Sequence, residues 1–200
     1  MFVLTIDQIG SRQHPDLVAS TTAQLAAAPT RLPFTRTVGD EFQGVLEDPV
    51  SVVDVILTLM RSRTWHVGLG IGAVEEPLPD DPRAARGPAF LAARAAVEQA
   101  KREPGHVHVI APTAPDAAED VAVVLQLLAA LRDRRSAAGW EAVDRMATSG
   151  QQSEVAEQLG VTRQAVGQRL HAAGWALEQR TLPTLARLLE RADQPPGGAS

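Results

Sequence analysis

The feature that most limits what this chain can fold into is a two-residue interruption. The β-prone runs "LPFTRTV" and "EFQGVLE" are separated only by Gly39-Asp40. Gly-Asp is a hairpin dipeptide, with glycine first because that turn position needs φ > 0. Elsewhere strands and helices alternate. "FVLTIDQIG" has strand length and "HPDLVASTTAQLAAA" reads as a helix with Pro15 near its first turn. "SVVDVILTLMRSR" has helical spacing, "WHVGLGIGAV" is a strand, "AFLAARAAVEQAKR" a helix and "HVHVIAP" a final strand. The order is β-α-β-β-α-β-α-β. A parallel doubly wound sheet needs a crossover after every strand, which a tight hairpin cannot provide. The fold class expected is therefore α+β: a ferredoxin-like palm, a mixed, antiparallel-containing sheet with helices on one face. The three glycines of "VGLGIG" suggest that another backbone or a ligand comes close to that strand.

Residues 1–112 form this expected palm domain, a Pro-flanked linker helix follows over 113–136, and residues 137–192 are helical throughout. "QPPGGAS" belongs to a loose, disordered tail over 193–200. The chain has no cysteine, which excludes disulfides and thiolate metal sites. "MFVLTIDQIG" lacks a basic start, and the run "VAVVLQLLAAL" is too short to span a bilayer. A cytoplasmic location without membrane contact is expected. Net charge is −5, so bulk attraction to nucleic acid is excluded as a driving force. Residues 137–192 balance six cations against six anions, whereas residues 1–110 carry 10 against 13.

In a β-α-β-β layout the first strand neighbours the hairpin, so Asp7 can face Asp40 at its tip. Two converging carboxylates repel unless a hard cation lies between them. Mg²⁺ accepts one or two protein carboxylates and completes its octahedron with waters and phosphate oxygens. Asp7 and Asp40 are thus candidate metal ligands next to a nucleotide. The other reading is local: Asp40 favours the turn and Asp7 caps the next segment.

Several segments carry a resemblance. "VGDEF" is similar to the signature hairpin of GGDEF-type nucleotidyl cyclases, and Asp7 falls where that family has its first-strand metal ligand. "AVEQAKREPG" resembles the late segment in which those enzymes hold a triphosphate, placing Lys101 in that role. The ordered set Asp7, Gly10-Ser11-Arg12, Gly39-Asp40-Glu41-Phe42-Gln43 and Gly87-Pro88-Ala89-Phe90 resembles the SatD family over residues 1–110. The resemblance implies Gly39, Glu41 and Lys101 as nucleotide-binding residues, with Mg²⁺ as the accompanying cofactor. The departures weigh against synthesis. Val38 stands for the first glycine of the signature, and "QIGSRQHP" lacks the Phe-Lys and Asn-Asp that follow the cyclase metal aspartate. A palm that no longer synthesises but retains a guanine nucleotide or cyclic dinucleotide is the expectation. A Mg²⁺-dependent phosphodiester enzyme acting at Asp7 and Asp40 is the alternative.

The sharpest motif is "QSEVAEQLGVTRQAVGQRLHAAGW". Ala156 is small where two helices would cross, Gly160 stops the first helix in the αL conformation, and Thr162 is a good N-cap for the second. Val161, Val166 and Leu170 form the inward stripe. The layout is a helix-turn-helix and resembles that of bacterial repressors. Its second helix would begin at Arg163 and present Arg163, Gln164, Gly167, Gln168 and His171 outward. Arg pairs with guanine and Gln with adenine in the major groove, while Thr162 suits a phosphate and Arg169 the DNA backbone. Double-stranded DNA is the expected partner, read by a homodimer because operator readers commonly pair their reading helices. The bland reading is a helix pair used for dimerisation or docking. Together these features point to a DNA-binding transcriptional regulator whose palm dimerises or senses a nucleotide.

Overall fold

The structure, a computed structural model, describes residues 1–194. Five strands form one mixed sheet: β1 (Phe2–Gln8), β2 (Leu32–Arg36), β3 (Glu41–Leu46), β4 (Trp65–Ile71) and β5 (Val107–Ile110). Their spatial order is β2-β3-β1-β4-β5. β1 is antiparallel to both neighbours, β2 and β3 form the expected hairpin, and β4 and β5 are parallel. Helices α1 (Val18–Gln24), α2 (Pro49–Ser62), α3 (Pro88–Ala100) and α4 (Pro115–Asp133) connect or follow these strands. The remaining helices are α5 (Ala137–Ser149), α6 (Gln152–Leu159), α7 (Arg163–Ala172) and α8 (Trp175–Asp193). The fold is α+β, with the strands and intervening helices in the order read from the sequence. Among the described residues no helix is long and apolar enough to cross a membrane. Of the expected tail, Asp193 closes α8, and 195–200 lie outside the described residues.

Alternation along β1 divides the sheet into two faces. Val3, Thr5 and Asp7 share one face with their register partners on β3 and β4; Phe2, Leu4, Ile6 and Gln8 share the other. α3 lies on the first face. A Cβ on Gly68 would stand 2.2 Å from the Val97 amide nitrogen, and one on Gly70 would stand 2.1 Å from the Ala89 carbonyl oxygen. The glycines of β4 thus admit the backbone of α3, not a ligand. Val3, Leu32, Val45, Ala89, Phe90 and Ala93 close that contact as a core cluster.

The opposite face is covered too, which corrects the expectation of helices on one face only. The Gln8 side chain donates to the Pro15 carbonyl (2.7 Å) and accepts from the Leu17 amide (3.0 Å), tying the entry of α1 to that face. The same ties delay α1 until Val18, later than the apolar pattern suggests. A sequence shows that a helix is amphipathic but not which side of a sheet it takes. That choice depends here on the missing Cβ atoms of Gly68 and Gly70.

The chain divides into two compact units, Met1–Gln126 with Thr184–Ser200, and Leu127–Pro183. The second is helical. Its core is Ala142, Val155, Ala156, Val166 and Leu170, with Val161 and Trp175 packed against it. Its buried polar element is an ion pair: Arg135 donates to Glu178 at 2.5 Å and to the Ala173 carbonyl at 2.7 Å. The guanidiniums of Arg132 and Arg135 lie 5.0 and 4.6 Å from the centre of the Trp140 ring. Cation–π attraction and the ion pair together offset part of the cost of burying these charges.

Candidate functional site

Two polar surfaces contain the residues singled out from the sequence. The first lies at one end of the sheet. Glu41 opens β3 and stands directly opposite Asp7, which also faces His66 across the β1–β4 ladder. Direct partners in an antiparallel ladder point the same way, so these three side chains share a face. Asp40 stands one residue earlier, in the turn, with no hydrogen bond or ion pair to another described residue. Gly39 has φ 61, as the hairpin requires, and the Val38 carbonyl accepts from the Glu41 amide at 3.0 Å. The structure therefore places Glu41 beside Asp7 in the ladder and leaves Asp40 outside it. The adjacent carboxylates at the tip separate because only one belongs to the strand.

Charges in this cluster are largely matched within the chain. Lys101, just past the end of α3, lies 3.2 Å from Asp7 and 2.7 Å from Glu98. Burial pushes its pKa down, but the hydrogen bonds it donates to Glu98 and Asp7 outweigh this and raise it above the ordinary value. Glu41 accepts from the Thr37 hydroxyl at 2.6 Å. The His66 ring meets His106 edge to face, with centroids 5.0 Å apart. Burial, helped by His106 and Lys101 and opposed by Asp7, lowers the His66 pKa.

Among the described residues no group of three or more His, Asp or Glu side chains converges to hold a metal. Asp7 and Glu41 are two carboxylates on one face, the most that Mg²⁺ commonly takes from a protein. The ammonium that stands against Asp7 belongs to Lys101. The donor set does not form a protein cage for a metal.

The second surface is the outer side of α7. Thr162 caps the helix by accepting from the Ala165 amide at 3.1 Å. Gly160 adopts φ 62, and the Val161 amide donates to the Ala156 carbonyl, closing α6. Val166 and Leu170 face the core, which turns Arg163, Gln164, Gln168 and His171 to solvent. With Gln152 and Gly167 these side chains line a shallow concavity of about 590 Å³. None of the four donates to another described residue. Arg169 differs, lying half-buried 3.4 Å from Glu141 of α5. A Cβ on Gly167 would meet only Gln152 Oε1, at 3.6 Å. Among the described residues nothing requires a glycine there.

Sequence reasoning did not find a third group. Arg83, Arg86 and Arg94 line a cleft with Val38, Gln43 and Leu91 at the start of α3. "DPRAARGPAF" reads as loop and helix start, and only the fold brings it against the hairpin. The arginine spacing around Gly87-Pro88 is the signal that was available.

An α+β chain with a five-stranded mixed sheet and a separate helical unit is the class that these observations define. The chain belongs to the SatD family, whose model matches residues 22–189. The match includes the hairpin, Lys101 and α7, and begins after β1, so Asp7 lies outside it. No curated protein and no solved structure matches the chain.

Proposed function

We propose that this SatD family protein is a DNA-binding transcriptional regulator that reads the major groove with α7. The observation that carries the reading is the solvent face of that helix. Arg163, Gln164, Gln168 and His171 are exposed and unpartnered behind a turn fixed by Gly160 and Thr162. Arg and Gln are the side chains that pair bidentately with guanine and adenine. Gly167, between them, allows close approach of a duplex. Thr162 at the helix start suits a phosphate, and Arg169, held toward Glu141, suits the DNA backbone once released. Local charge is balanced, so a homodimer that doubles the phosphate contacts supports affinity better than one copy. The sheet unit then serves dimerisation or nucleotide sensing. For sensing, the nucleotide must bind one DNA-binding state better than the other.

The test is selection of bound fragments from a genomic library, with the full chain and with Arg163→Ala/Gln164→Ala. Losing bidentate base contacts costs about 1–3 kcal/mol each, so the double variant should retain its fold and lose the selected sites. Enrichment of the same sites by both proteins sinks the proposal.

A second reading, phosphodiester chemistry with Mg²⁺, draws on Asp7 and Glu41 standing side by side with Lys101. Incubation with nucleoside triphosphates and Mg²⁺ or Mn²⁺ decides it. Absence of product under every condition removes it.

A further inference from the structure

We propose that the cleft at the N-terminal end of α3 binds a phosphate monoester carrying a flat apolar ring, an aryl or nucleoside phosphate. The cleft encloses about 610 Å³ between the hairpin tip, the loop before α3 and the first turns of that helix. That size suits a small organic ligand. Its hairpin wall adjoins the Asp7 cluster, because Thr37 lines the cleft and donates to Glu41, while Lys101 stands at the far end of α3. The proposal thus deepens the nucleotide-sensing reading of the sheet unit and rests on it.

Two independent features converge on it. The first is charge. The lining carries three guanidiniums, Arg83, Arg86 and Arg94, against one carboxylate, Glu75, in a chain whose net charge is −5. Arg83 is held by Asp81 through hydrogen bonds of 2.6 to 3.0 Å. The side chains of Arg86 and Arg94 donate to no described residue. Two free guanidinium forks match a phosphate dianion, which they can bind bidentately.

The second feature is apolar. Val38 is 79% exposed and Leu91 73% exposed, the highest values among the large hydrophobic side chains described. Both line this cleft, one on the hairpin tip and one on α3, with Phe90 between them and the core. Exposed apolar groups flanking a cationic cleft fit a ligand that is anionic at one end and flat at the other. A bare inorganic anion would leave Val38 and Leu91 in water. The binding is non-covalent and uses no metal.

The test is calorimetric titration of the full chain, without DNA, with phenyl phosphate, adenosine monophosphate, inorganic phosphate and adenosine. The ring-bearing phosphates should saturate at submillimolar concentration and bind about tenfold more tightly than inorganic phosphate or adenosine. Arg86→Ala/Arg94→Ala should weaken them about tenfold or more, and Leu91→Ser should weaken them while leaving inorganic phosphate unchanged. The charge-matched Arg12→Ala/Arg31→Ala should bind like the parent. All the altered side chains are exposed, and unfolding midpoints check that each variant folds. The proposal is overturned if neither ring-bearing phosphate saturates in the millimolar range. Unchanged affinity in Arg86→Ala/Arg94→Ala also overturns it. So does inorganic phosphate binding as tightly as phenyl phosphate, which would mean an adventitious ion only. Because no DNA is present, failure here and failure of DNA reading by α7 are separate results.

Discussion

Gly70 on β4 and Gly167 on α7 are the same residue in opposite settings. A Cβ on Gly70 would collide with the Ala89 carbonyl oxygen at 2.1 Å, whereas one on Gly167 would touch only the end of Gln152 at 3.6 Å. The same contrast holds for charge. Asp7, Lys101 and Glu98 answer one another at the sheet end, while Arg163 and His171 have no hydrogen-bonding or ionic partner among the described residues. Where the fold accounts for a costly residue, no ligand is needed to explain it. Where it does not, as at mid-helix Gly167, the residue is a place to test the proposed duplex contact.

The largest effect expected is on the closed side of this contrast, in the helical unit. Glu178→Ala leaves Arg135, whose side chain is 1% exposed, without its carboxylate. Breaking a buried pair costs about 3–5 kcal/mol, which chemical denaturation should show. A loss within experimental error would mean that Trp140 and the Ala173 carbonyl suffice. Next comes Gly70→Ala, where two backbones must move apart. Overpacking of this kind costs about 1–3 kcal/mol, and a midpoint equal to the parent's would show that α3 is not seated as described. Gly167→Ala should have the reverse sign. Alanine is favoured over glycine inside a helix by about 1 kcal/mol, so the variant should unfold at higher temperature and bind selected DNA more weakly. A more stable variant with undiminished DNA affinity would place the duplex elsewhere.

The smallest effect is a pH dependence. A histidine whose folded pKa is lowered binds fewer protons folded than unfolded. His66 therefore contributes no penalty above its ordinary 6.5, and stability falls as pH drops from there through the depressed folded value. In His66→Gln the slope of stability against pH over that window should flatten. Asp7→Asn, which removes the one charge opposing the shift, should lower the His66 pKa further by NMR titration. A slope unchanged in His66→Gln assigns the dependence to another group.

Much of this was legible in the residues. The order of strands and intervening helices follows from apolar periodicity and the Gly39-Asp40 break, and the end of α6 and the start of α7 follow from Gly160 and Thr162, because hairpin turns and helix caps are local chemistry. What was not legible depends on distant contacts. Whether Glu41 or Asp40 stands beside Asp7 is set by where the ladder begins, one residue after the turn. The face taken by α3 is set by Gly68 and Gly70 acting as a seat. The arginine cleft needs residues 38 and 94 to line one hollow, and no local pattern announces that. The glycines of "VGLGIG" did suggest close approach, and the approaching group proved to be a helix.

Leu185, Leu189 and Ala192 are buried side chains that belong to the unit containing the sheet, and Arg191 pairs with Asp120 at 3.0 Å. A chain ended by a stop codon after 126 would lose these side chains along with the helical unit, and would leave apolar surface open to aggregation. The helical unit is thus not a detachable C-terminal cassette. Recombination could exchange it intact only as an insert whose two junctions lie near 126 and 184.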